Sequence, residues 1–434
     1  MVMRDTSIGP RAEAAPTVSP ASMRDYFGGQ TTKHRWGGSF RSRPPSETLE
    51  LLRPRLREWG VTRVGNITGL DRIGIPVWIA VRPNSRSLAV SQEKGMDHDS
   101  ARASAVMEAL EIAHAERPPP GLRLESYSML RAQAKVVDVC TLPEVRRSLF
   151  TENRKVLWVQ GHDLLNQQAC YLPYELVHSD ATVPRMPGSG AFLASTNGLA
   201  SGNDLGEAVL HGLCEVIERD ATALWEFQDD AGQQATRLDL ESVTDAAAMD
   251  LLHKLASARL SVMAWNATSD IAVPVVRCVI VDTSDDTALR PIPAAFGAGC
   301  HPDRNVALIR ALTEAAQSRL TVISGSRDDF DRDRYRTTQQ SEAFRWHREL
   351  STQPARASMS ELPTSNCDTI EEDIAVLLNG LVRAGVQRVI VKDLSCEGMP
   401  VSVARVVVPT LEGPAESAAY VAGPRARLRN AQLR

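Results

Sequence analysis

The sequence is short of the features that would place it in a membrane, outside the cell or on nucleic acid. No apolar run approaches the roughly 18–20 residues that a membrane helix needs, and the run at 273–281 is too short and carries Arg277. The amino terminus has no apolar stretch of the kind found in secretory signals. Seven cysteines (140, 170, 214, 278, 300, 367 and 396) are scattered, odd in number and never spaced C-x-x-C. That pattern argues against a disulfide framework and a cysteine-held zinc, and fits a reducing compartment. An excess of one charge is also lacking. Lys and Arg number 49 and Asp and Glu 53, for a net charge of -4, which excludes a protein that coats nucleic acid. There is no Walker A motif, no G-x-G-x-x-G after a strand and no kinase signature, so a bound nucleotide would need a non-standard pocket. Together these absences predict a cytoplasmic protein.

What is present is ordinary globular composition, 43% hydrophobic and 24% charged over 434 residues. That is enough to bury a sizeable core as one large domain or two moderate ones. Residues 1–45 are rich in Pro, Ser, Gly and Arg without an apolar period, and predict a flexible basic leader, the alternative being an arm that reaches a polyanionic ligand through Lys33, Arg35 and Arg41. The folded domain is expected over 46–434. Ser46 is the expected N-cap of a helix running to Trp59. Strands are predicted over 61–67 and 75–81, with turn chemistry between them, and a helix over 96–116 that Pro118-Pro119-Pro120 stops. Strands follow near 155–160 and 168–174, then a Gly/Ser/Asn-rich loop over 187–203 and a helix to about Phe227. Further helices are expected over 245–258, 303–324 and 369–383, with strands near 261–266, 273–282, 292–297, 387–393 and 401–408. Asp and Arg interleave over 327–336, which reads as a solvated loop. Irregular alternation of helix and strand predicts an α+β fold with mixed sheets.

The chemistry concentrates on three helices. One carries Ser104, Glu108 and Glu111, the second Glu207, Glu215, Glu218 and Arg219, the third Glu314, Gln317 and Arg319. Spacings of three and four put such side chains on one helix face. Their neighbours, such as Ala105 and Leu110, Leu213 and Ile217, or Leu312 and Ala316, are so apolar that the helices should be largely buried. Buried carboxylates must be paired or hold a cation. Mg2+ takes oxygen ligands and bridges carboxylates to nucleotide phosphates, and it suits this set better than Zn2+. A single E-x-x-E pair is commonplace, and His211 reads better as a core histidine than as a ligand. The loop before the second helix offers free N–H groups to an anion, or is a simple N-cap at Ser201 or Asn203.

Four ordered stretches resemble the YcaO family: Gly69-Leu70-Asp71-Arg72-Ile73-Gly74-Ile75-Pro76-Val77; Lys94-Gly95 with Ala103 to Glu111; Thr196 to Asn203 with Glu215 to Asp220; and Ala311 to Arg319. The likeness spans roughly residues 46–411. It implies an ATP- and Mg2+-dependent enzyme that activates backbone amides of ribosomally made peptides or proteins by phosphorylating the amide oxygen. It implies Mg2+ at Glu108, Glu111, Glu215 and Glu218, the nucleoside at Asn203 and Glu207, and the γ-phosphate at Arg219. It also implies Ser104, Gln317 and Arg319 at the phosphates, with Arg219, Gln317 and Arg319 as the catalytic set.

Two departures from the family pattern matter. Ile112 stands where Arg is frequent, and the Pro-rich tail common in azoline-forming members is missing. The Gly69–Val77 stretch is similar to the branch that works beside TfuA-like proteins, associated with thioamides. The expected partners are a precursor peptide and a TfuA-like protein, with a homodimer possible and no nucleic acid or membrane. The alternatives are azoline formation on Cys, Ser or Thr with a leader-binding partner, or a non-catalytic accessory subunit.

Overall fold

In the computed structural model, the helix that carries Glu215 and Glu218 lies between two β-sheets, and the rest of the architecture follows from burying it. The structure describes residues 17–36, 38–283, 294–327, 352–414 and 419–432, with the single residues 292 and 349. The helices are α1 (Pro20–Phe27), α2 (Pro45–Leu52), α3 (His98–Ala115), α4 (Tyr127–Arg131), α5 (Leu205–Glu226), α6 (Asp230–Ala235), α7 (Ala246–Ser257), α8 (Arg304–Ser324), α9 (Ile370–Arg383) and α10 (Pro424–Gln432). A hairpin joins β1 (His34–Trp36) to β2 (Ser39–Arg41), and an antiparallel meander is formed by β3 (Arg63–Asn66), β4 (Val77–Val81) and β5 (Val90–Lys94).

The largest sheet uses β6 (Arg123–Ser126), β7 (Lys155–Asp163), β8 (Gln168–Pro173), β9 (Leu199–Gly202), β15 (Ile390–Asp393) and β16 (Ser402–Val407). Its order is β6-β7-β15-β16-β9, with β8 also paired to β7. Between β9 and β15 in the chain come β10 (Leu238–Asp239), paired in parallel with β14 (Ala357–Ser358), and the antiparallel sheet β11 (Leu260–Asn266), β12 (Val275–Asp282) and β13 (Ala295–Cys300).

Period-two alternation explains why both sheets are covered on two faces. In the three-stranded sheet Ala264, Val276, Cys278 and Ile280 pack with α7 and α8, while Met263, Trp265, Val275 and Val279 pack with α5 and α9. In the large sheet Val391, Ala404 and Val406 turn toward α5, and Ile390, Val403 and Val407 toward the opposite core. α5 is thus apolar nearly all round because a sheet lies on each side of it. α8 lies directly on β13. A Cβ at Gly299 would sit 2.1 Å from Ala307 O, and one at Gly297 would sit 2.3 Å from Ala311 O. The α+β expectation matches this architecture, and among the described residues no helix is long and apolar enough to cross a membrane.

The leader expected over 1–45 is corrected for its described part. From Ser19, which caps α1, the chain packs against α9. Met23 is fully buried. Val18 exchanges two hydrogen bonds with the Asn379 amide, at 2.8 and 2.9 Å. Thr31 N–H donates to the Glu371 carboxylate at 3.0 Å, and Lys33 forms a buried ion pair with Asp373. Composition pointed to a solvated tail, but these polar groups have fixed partners along α9. Residues 1–16 lie outside the described residues, as do 328–336 of the expected solvated loop. Met23→Ala is expected to cost about 2 kcal/mol or more, read as a lower urea midpoint. An unchanged midpoint would mean that the arm adds nothing to the core.

Smaller differences have local causes. The helix expected from Ser46 to Trp59 is α2, capped at Pro44 without a side-chain bond and ended at Leu52, because Pro54 disfavours helix before it. Part of the expected loop 187–203 is strand β9, paired with β16 through Ser402↔Gly202 to Arg405↔Leu199.

Candidate active site

A cavity of about 730 Å3 opens between α3, α5 and α8, and is walled further by β5, β9 and the arm. Each helix is set by an acidic N-cap. Asp97 accepts from Ser100 N–H at 2.8 Å, Asp204 from Glu207 N–H at 2.9 Å, and Asp303 from Asn305 N–H at 2.8 Å. The cap of α5 is therefore neither Ser201 nor Asn203. Ser201, on β9, donates its hydroxyl to Glu111 at 3.0 Å. Asn203 accepts from Thr48 Oγ1 at 2.7 Å and donates to Glu207 at 3.1 Å.

Glu108, Glu111, Glu215 and Glu218 all line this cavity, as do Ser104, Asn203, Glu207, Arg219 and Gln317. Burial, and then the nearby Glu93, pushes Glu108 up to about 8. Burial and then Glu314 push Glu218 up to about 7. Glu111 is held well above the usual range by burial, with Glu108 and Glu215 adding to it. Glu215 is raised by burial against the opposing pull of Arg219 and Arg405. Burial is the first cause in each case, and neighbouring carboxylates add to it for Glu108, Glu111 and Glu218.

The expectation that the carboxylates converge on one ion is corrected in one respect. Among the described residues, no three His, Cys, Asp or Glu side chains come close enough together to hold a metal ion by themselves. Mg2+ does not need such a cage: one or two carboxylates suffice when phosphates complete the shell. The donors are all hard oxygens, and Gln317 Oε1 and Arg310 Nε are buried without hydrogen-bond partners. The residues present therefore fit Mg2+ with a phosphorylated ligand better than Mg2+ alone. His211 is neutral, held far below its usual range by burial and by Arg41, whose guanidinium donates to Nε2.

Arg319 is not in the cavity. It is buried, with Nε on Asp71 at 2.8 Å and Nη2 on Asp282 at 3.1 Å. Helix geometry gives the reason: Arg319 is two residues past Gln317, and residues two apart do not share a face. Arg310 does share the stripe of Glu314 and Gln317, and it is Arg310 that lines the cavity. The Gly69–Val77 stretch is likewise a brace rather than a wall. Asp71 receives Arg319, while Arg72 reaches Asp282 at 2.9 Å and Ala258 O at 2.7 Å.

The arm and the start of α2 also bring residues to the cavity. Ser42 donates to Glu207 at 2.9 Å, Arg41 Nε lies 3.4 Å from the same carboxylate, and Arg43 and Thr48 line the cavity. Arg405, on β16, is buried behind Glu111 and Glu215, and burial lowers it to about 10.

These side chains line one carboxylate-rich cavity on an α+β fold. A family model described as YcaO cyclodehydratase, ATP- and Mg2+-binding, matches residues 92–412, and the chain belongs to this family. It is 39% identical over 373 residues to a protein of Rhizobium leguminosarum bv. trifolii described as an uncharacterized protein in the tfuA 3′ region, covering 85% of this chain and 87% of that one. The YcaO from Methanopyrus kandleri bound with AMPPCP and Mg2+ matches with a TM-score of 0.71 at 25% identity, over 91% of this chain and 98% of that one. A heterocyclase in complex with substrate and cofactor shares the fold, with a TM-score of 0.72, 19% identity, and coverage of 88% of this chain and 54% of that one. The expected pairing of ATP with Mg2+ agrees with the family.

Proposed function

We propose that this chain uses ATP and Mg2+ to phosphorylate a backbone amide oxygen of a ribosomally made peptide or protein, for thioamide formation beside a TfuA-like partner. One observation carries the site reading: carboxylates from α3 and α5 line one cavity, with Arg219 and Arg310 on its walls. The thioamide reading is supported by the relative in the tfuA 3′ region.

Bound Mg2+ would neutralise phosphate charge and orient the transferred group. One or two of Glu108, Glu111, Glu215 and Glu218 would hold it, with phosphate oxygens completing the shell. Asn203 and Glu207 would contact the nucleoside, kept in place by Thr48 and Ser42. Ser104 and Gln317 would face the phosphates. Arg219, four residues after Glu215 and 4.0 Å from it, would place its planar charged fork on the transferring phosphoryl. Arg310 takes the place first given to Arg319.

The chemistry balances. The amide oxygen forms a bond to the γ-phosphorus and the bond to the β-phosphate oxygen breaks, releasing ADP. Sulfide then adds to the amide carbon, the carbon–oxygen bond breaks, phosphate leaves and the sulfur loses its proton. Amide oxygen is a poor leaving group and phosphate a good one, which is why ATP is required.

Peptide mass tests the product. Exchange of oxygen for sulfur adds about 16 Da, whereas cyclodehydration removes about 18 Da. The expected result is the gain, in a reaction holding the peptide, ATP, Mg2+, a sulfide source and the partner. The loss would identify an azoline former instead. A chain that releases no phosphate from ATP with peptide and partner present would be an accessory subunit.

A further inference from the structure

β5 is held between α3 and α8 at the centre of the cavity wall. Gln92 N–H donates to Glu108 at 2.9 Å, and Gln92 Nε2 donates to Gln317 O at 3.1 Å. Gln317 Nε2 donates back to Gln92 O. Three residues on, a Cβ at Gly95 would lie 2.4 Å from Ala101 N, so the strand passes directly under the first turn of α3. Lys94, between these two anchors, points its ammonium into the cavity with 16% of its side chain exposed.

That ammonium is surrounded by acids. Glu93 lies 3.3 Å away and Glu314 3.9 Å. Glu218 and Glu108 also feel its charge, and Arg310 is the neighbouring cation that opposes it. Both contacts are longer than the roughly 2.7–2.9 Å of a tight charge-assisted hydrogen bond. Lys94 is therefore shared among several carboxylates rather than locked to one. It stands on the acid-rich side of the cavity, where divalent charge would also be drawn.

We propose that Lys94 is a built-in counter-cation of the acid cluster, and that its fixed positive charge limits how strongly the nucleotide site takes up divalent metal. This inference rests on the reading of the cavity as an Mg-ATP site. Lys94 acts through the carboxylates, so it is a positioning residue. A tethered charge draws the Glu93 and Glu314 carboxylates toward it while no metal is bound. It also raises the local potential, which weakens the pull on a second cation a few ångströms away.

The test is calorimetric titration of Mg2+ into the full chain holding a non-hydrolysable ATP analogue. Lys94→Met should take up Mg2+ about tenfold more tightly than the wild type, since one opposing unit charge is gone. Lys94→Arg should behave like the wild type. Glu93→Gln should shift the affinity the other way, and Lys94→Met combined with Glu93→Gln should return toward the wild-type value. An unchanged Mg2+ affinity in Lys94→Met overturns the proposal, whatever happens to turnover or melting temperature. Weaker analogue binding with unchanged metal affinity overturns it too, and makes Lys94 a phosphate contact. If Lys94→Met does not fold, Lys94→Gln, which also removes the charge, is titrated in its place and should show the same tighter uptake; an unchanged affinity there overturns the proposal. If the wild type with the analogue takes up no Mg2+, the site reading itself fails and this inference falls with it.

Discussion

Arg319→Met is expected to destabilise the protein by about 3–5 kcal/mol, read as a lower denaturant midpoint, with Mg-ATP affinity per folded molecule unchanged. The side chain is 4% exposed and its partners Asp71 and Asp282 only 2% and 7%. Removing the guanidinium strands two carboxylates away from water. Asp282 keeps Arg72 at 2.9 Å, so the main cost falls on Asp71, whose own backbone contacts set the turn before β4. Asp71 accepts from Ile73 N–H at 3.1 Å, and that turn holds Ile73 and Ile75 in the core under α8. A variant as stable as the wild type that no longer binds Mg-ATP would return Arg319 to the nucleotide site and contradict its placement outside the cavity.

Glu215→Gln is expected to do the opposite. It keeps the shape and volume of the side chain and removes one negative charge. Mg-ATP affinity should fall by an order of magnitude or more, equivalent to about 1.4 kcal/mol for each factor of ten. The folded protein should not suffer. Glu215 is raised by burial, so in the absence of a cation its charge is a burden, and neutralising it should leave thermal stability equal or slightly higher. Thermal scans with and without Mg-ATP separate the two effects: the variant should lose most of the ligand-induced rise in melting temperature. A full rise would show that Glu215 is not a metal ligand.

The parts of the fold legible in the sequence are those governed by helix periodicity. α3, α5 and α8 fall within a few residues of the expected spans, because long apolar-periodic segments with firm ends leave little choice of register. Their inward carboxylates do line one cavity. What was hidden depended on contacts distant in sequence. The arm looks polar and aperiodic, and its acid partners lie far away in sequence, on α9 more than 300 residues on and at Glu207 of α5. Glu207 faces Ser42 and Asn203 faces Thr48 for the same reason. The exchange of Arg319 for Arg310 was decidable from helix geometry, since only Arg310 lies four residues from Glu314. The role of the Gly69–Val77 stretch was not, because Asp71 and Arg72 find their partners on α8 and β12. Asp204 is followed three residues later by Glu207, a helix-start signal that outranks the Ser and Asn before it.

ATP is expected to bind in this cavity through Mg2+ held by carboxylates. The most direct test is calorimetric titration of ATP into the full chain, once with Mg2+ and once with a chelator. The account predicts saturable binding with Mg2+ and at least tenfold weaker binding without it, because four carboxylates repel bare triphosphate. Equal affinity in the two titrations, or none in either, would contradict it.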